Sequence, residues 1–192
     1  MISAIAILAG MLHSSAECKI PLYVQTSSIP SSHKEQFYIS LKDAITFWND
    51  QSPKIGFELV GDSYYEANSN AATISWSNDS GEQPKSIANT YLLYDSNIFI
   101  KRARVNLLYK THWCSSYNTD LSSCYDMTNS LEHELGHVFG LTHTTNAEDL
   151  MKAEADFASR ATHELSKNDK ERFEKIIART SCRGSSTTFV WR

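Results

Sequence analysis

The chain has 192 residues, 41% of them apolar and 21% charged, with a formal net charge of −4. That balance supports one domain with a full hydrophobic core and excludes a largely disordered chain. It also leaves no basic footprint for nucleic acid, since the densest basic run, "KRAR" (Lys101 to Arg104), reads as a solvated strand face.

In chain order, the first feature is an apolar run from Ile2 to Leu12, followed by the small residues Ser14 and Ala16. The run has the length of a signal-peptide core and falls short of the roughly 20 residues needed to span a bilayer. The expectation is a signal peptide over residues 1–16 and one domain over 17–192, placing the protein outside the cytoplasm, secreted or periplasmic, with no membrane span. The alternative is an N-terminal element packed on the core. The cysteines are Cys18, Cys114, Cys124 and Cys182; behind a signal peptide, an even number reads as two disulfides. Of three possible pairings, the expected one joins Cys114 to Cys124 across a short loop and Cys18 to Cys182.

"KIPLYVQ" (19–25) alternates and predicts a first strand. Ser32 and Glu35 have capping-box spacing, and Phe37, Leu41, Ala44, Ile45 and Trp48 follow at helical intervals before Pro53. "IGFELV" (55–60), "ATISWS" (72–77), "SIANTYLLY" (86–94) and "RVNLLY" (104–109) predict further strands. A last helix is predicted in "LSKNDKERFEKIIART" (165–180), with Ser166 as its cap and Leu165, Phe173, Ile176 and Ile177 as its apolar stripe. The sum is α+β.

The chemistry lies in "EHELGHVFGLTH", from Glu132 to His143. Asp126 or Thr128 can cap a helix on which His133 and His137, four residues apart, project from one face. Two imidazoles at that spacing can grip one zinc ion. Glu134 stands beside them, able to take a proton from a water in an open coordination position. Gly140 lies where a helix can end in a left-handed turn, and His143 can then supply a third ligand from outside the helix. Three neutral histidines leave the ion open, as catalysis requires. With this chain's composition the full pattern arises by chance in about 2 of 100,000 chains of this length. His13, His33, His112 and His163 are isolated and read as surface or polar-core residues.

At these residues the sequence resembles the metzincins, zinc peptidases marked by this long histidine motif and a downstream Met-turn. Met151, eight residues after His143, and Thr144 directly after it resemble the matrixins within that clan. "AITFWNDQSPKIGFEL" and "LSKNDKERFEKI" are similar to a matrixin's first helix with its second strand and to its last helix. The resemblance implies a metzincin, zincin-like fold: a twisted mixed five-stranded sheet, two long helices, and a small C-terminal subdomain carrying a third. It implies that His133, His137 and His143 hold one catalytic zinc, that Glu134 is the general base and that Met151 forms an apolar floor. "IANTYLLY" resembles the antiparallel edge strand along which peptide or protein substrates dock. Lys152 and Ala153 depart from the Pro and Tyr that follow the methionine in matrixins, and no cysteine-switch motif is present. The implied function is a secreted, monomeric zinc endopeptidase; the alternative is a catalytically silent zinc-binding interaction module with the same fold.

Overall fold

The computed structural model describes residues 16–62, 71–78, 86–94, 100–114, 122–158 and 161–180. Strand β1 (Cys18–Val24) alternates as predicted, with Cys18, Ile20, Leu22 and Val24 buried and the residues between them partly exposed. It is followed by α1 (Lys34–Asp50), β2 (Ile55–Asp62), β3 (Ala71–Ser77), β4 (Ala88–Tyr94) and β5 (Ile100–Leu108). These five strands form one sheet in the order β2-β1-β3-β5-β4. All neighbours are parallel except β4, which pairs antiparallel with β5 and closes one edge. The predicted mixed five-stranded sheet is therefore present. Two short strands, β6 (Trp113–Cys114) and β7 (Tyr125–Asp126), pair separately and lead into α2 (Met127–Val138). The final helix is α3 (Lys167–Arg179).

The predicted capping box at the start of α1 does not form. Pro30 begins a 3-10 turn over Ser31–His33 that runs directly into the helix, and no side chain caps it. An N-cap must be extended for its hydroxyl to reach the free amides, and the backbone at Ser32 is already coiled. Ser166 caps α3 as expected, accepting from the Asp169 amide at 3.0 Å, and Asp126 rather than Thr128 caps α2 through the Asn129 amide.

The helical stripe of α1 (Phe37, Leu41, Ala44, Ile45, Trp48) is wholly buried. Trp48 joins the three helices. Its ring lies 5.2 Å from Phe139 at the end of α2 and 5.1 Å from Phe173 of α3. Its indole N–H donates to the Glu132 carbonyl at 2.8 Å. Cys114, the last residue of β6, and Cys124, the residue before β7, form the expected disulfide. Cys18 is also disulfide-bonded; its expected partner Cys182 and the expected signal segment at 1–15 lie outside the described residues. Among the described residues, no helix is long and apolar enough to cross a membrane.

Trp48→Phe keeps most of the apolar volume but removes this second bond to the Glu132 carbonyl, which retains its helical partner. It should lower stability by about 0.5–1.5 kcal/mol, read from denaturant unfolding; an unchanged midpoint would show that this bond is dispensable.

Candidate metal centre

Helix α2 carries His133 and His137 on one face and ends in a paired-bond C-terminal turn. The Leu141 amide donates back to the Gly136 carbonyl at 3.1 Å, and the Gly140 amide to the His137 carbonyl at 2.8 Å. Gly140 has φ of 97°, a conformation that strains any residue with a side-chain Cβ. The reversal swings His143 back onto the helix.

The three Nε2 atoms then stand 3.0–3.2 Å from one another. Nitrogens bonded tetrahedrally to zinc at about 2.0–2.1 Å would lie roughly 3.3–3.4 Å apart, within a few tenths of an ångström of this triangle. The rings are also oriented for it. His133 Nδ1 donates to the Leu150 carbonyl (2.8 Å) and His137 Nδ1 to the Leu141 carbonyl (2.7 Å), so the Nε2 lone pairs face the centre. Burial pushes His133 down to about 3 and His137 down to about 4, and lowers His143 as well. Neutral imidazoles converging on one point could hold a metal ion, and among the described residues no other cluster of this kind occurs.

Glu134 directly follows His133 on α2, is 6% exposed, and has its carboxyl raised by burial to about 7. Thr90 of the edge strand donates to Glu134 Oε2 at 2.5 Å, which opposes that rise. Met151 is fully buried under α2, and a Cβ added at Gly136 would come within 2.5 Å of its sulfur. The residues singled out by the motif are thus brought together.

Sequence reasoning missed what holds them. The Met151 amide donates to Asp169 at 3.2 Å, and the Thr144 amide to the Met151 carbonyl at 2.9 Å. Arg172 bridges Asp169 (3.2 Å) and the Thr142 hydroxyl (3.0 Å), tying the His143 loop to α3. Buried Asp149 receives Ser166 (2.6 Å) and Asn146 (2.8 Å), and Asn168 as well. Burial works to raise its carboxyl, but bonds from Ser166, Asn168, Thr144 and Asn146 together leave it below the ordinary range. Thr90 also went unmarked, because nothing local distinguishes a threonine facing a carboxylate from any other strand threonine.

His33 stacks on Trp76 and His112 bonds the Ser123 carbonyl, as isolated histidines do; His13 lies outside the described residues. His163 is different. It sits between Glu132 (3.0 Å) and Asp126 (3.3 Å), both nearly inaccessible to solvent. Hydrogen bonds to Asp126 and Glu132 raise it to about 10, whereas burial keeps Glu132 above the ordinary carboxylate range despite His163.

A family model described as Matrixin matches residues 13–178. No curated protein matches the chain.

Because the folded pKa of His163 lies above its ordinary 6.5, its stabilisation is fully present below about pH 6.5 and is lost as pH rises through about 10. The stability gap between wild type and His163→Gln should therefore be widest below pH 6.5 and close towards pH 10. Thermal unfolding across that range checks this, and a gap that widens with pH would contradict it.

Proposed function

The chain belongs to the matrixin family of peptidases, and from that premise we propose that it is a secreted zinc endopeptidase in which His133, His137 and His143 hold the ion and Glu134 is the general base. The observation that carries this reading is the convergence of three Nε2 atoms, 3.0–3.2 Å apart, two of them from a helix that also carries the buried carboxylate of Glu134. Zinc, when bound, would supply Lewis acidity, acidifying water and polarising the scissile carbonyl.

The chain's own residues do the rest. Thr90 holds Oε2 of Glu134, leaving its other carboxylate oxygen to take the proton from the attacking water and later deliver it to the leaving amine. Burial raises this carboxyl above the ordinary carboxylate range, which strengthens it as a proton acceptor. Asn89 to Tyr94 lie on the antiparallel edge strand, whose free side can add an extended peptide by backbone hydrogen bonds. Tyr91, Leu93 and Tyr94 are exposed there. Secretion agrees with the Cys114–Cys124 disulfide, since such bonds persist in oxidising compartments.

The zinc-loaded protein should cleave a fluorogenic peptide mixture, and Glu134→Gln should lower kcat by about 10²–10⁴ while keeping its zinc. Chelation should abolish cleavage and added zinc restore it. A wild type as inert as Glu134→Gln, both holding one zinc per chain, would favour the silent binding module instead.

A further inference from the structure

The three histidines are not held alike. His133 and His137 sit on consecutive turns of α2, and each commits its Nδ1 to a backbone carbonyl, of Leu150 at 2.8 Å and of Leu141 at 2.7 Å. His143 lies beyond the helix, is exposed, and has no partner for its Nδ1 among the described residues. Its position therefore rests on its neighbours. On the C-terminal side the Thr144 amide donates to the Met151 carbonyl at 2.9 Å. On the N-terminal side the tie is a side chain, Arg172 of α3. Its Nη2 donates to both the carbonyl and the hydroxyl of Thr142, the latter at 3.0 Å, and its Nη1 donates to Asp169 at 3.2 Å.

Arg172 springs from a fixed base. The next residue, Phe173, is buried against Trp48 and Phe139, so α3 cannot slide without breaking that packing. A planar guanidinium can bond two partners at once in set directions, which a single ammonium cannot. Charge alone would work the other way. The Arg172 cation is felt at His137 and His143 and would repel a bound dication, a cost that the Asp169 carboxylate offsets. A ligand held in place before the ion arrives lowers the ordering cost of binding and resists swinging away afterwards.

We propose that Arg172 is a positioning residue for metal retention: by fixing Thr142 it holds His143, the outermost ligand, and so sets how slowly zinc leaves. This rests on the zinc reading above. His133 and His137 keep their own anchors, so loss of the arginine opens one corner of the triangle and leaves the other two in place.

The test compares wild type, Arg172→Ala, Arg172→Lys, Thr142→Val and Ile176→Ala. On each, zinc release is followed as a chromogenic chelator captures the ion, the visible spectrum is recorded after cobalt(II) replaces zinc, and amide exchange is measured over residues 142–145. Arg172→Ala should release zinc about tenfold faster or more, with amides of 142–145 exchanging faster and those of α2 unchanged. Its cobalt bands should weaken as water takes the place of one imidazole. Arg172→Lys and Thr142→Val, each keeping part of the tie, should fall between Arg172→Ala and wild type. Saturating zinc should restore cleavage to Arg172→Ala, whereas it should not restore Glu134→Gln. Ile176→Ala, which loosens the packing of the same helix, should release zinc at the wild-type rate. If Arg172→Ala fails to fold, Arg172→Lys and Thr142→Val carry the comparison. Release no faster than that of wild type overturns the proposal, and slower release would show that the arginine acts through its charge instead. Equal acceleration in Ile176→Ala and Arg172→Ala overturns it too, as the mark of a merely structural role. A wild type that takes up no zinc overturns the zinc reading, while the exchange arm still reports whether Arg172 holds the loop.

Discussion

Three imidazole lone pairs aimed at one point, 3.0–3.2 Å from each other, repel in the absence of a cation. Holding them there is the constraint on which the rest of the structure depends. The chain meets it by making two of the three rings answer to backbone. Two Nδ1 atoms are committed to carbonyls, and one of those carbonyls, Leu150, belongs to the turn that also supplies the methionine beneath the site. The metal centre and the Met-turn are therefore a single unit.

That unit is secured from α3. Asp149 and Asp169 are fully buried, and a buried carboxylate is costly unless its oxygens find donors. Here the donors are Ser166, Asn168, Asn146, Arg172 and the Met151 amide, so the acids can be satisfied only with the turn, the His143 loop and α3 in register. Phe173 of α3 meets Trp48 and Phe139 at the same junction. Polar specificity and apolar packing thus act on the same helix, and loss of either loosens the third histidine.

Two segments that meet helix α2 are held differently. The sheet edge is regular, and its described hydrogen bonds to Glu134 come from Thr90. Residues 152–158 and 161–163 belong to no named helix or strand and are held by individual ties to the preceding turn, the disulfide region and the start of α2. Backbone pairing in the first is tolerant of sequence, whereas the second rests on particular side chains.

Much of this was legible in the residues themselves. A period of 3.6 puts His133 and His137 on one face, Gly140 marks where the helix must end, Ser166 caps the last helix, and alternation identifies the inward side of β1. Each of these depends on residues within a turn or two of one another. The failed capping box at Ser32 shows the limit even there, since Pro30 had already committed the backbone to a turn. The parallel order of the sheet, the placing of Thr90 on Glu134, and the clamp of His163 on Asp126 and Glu132 were decided only by the tertiary structure. Thr90 and Glu134 are 44 residues apart, and His163 and Glu132 are 31 apart. Contacts at that separation follow from which faces must be buried together, and short-range spacing carries no record of it.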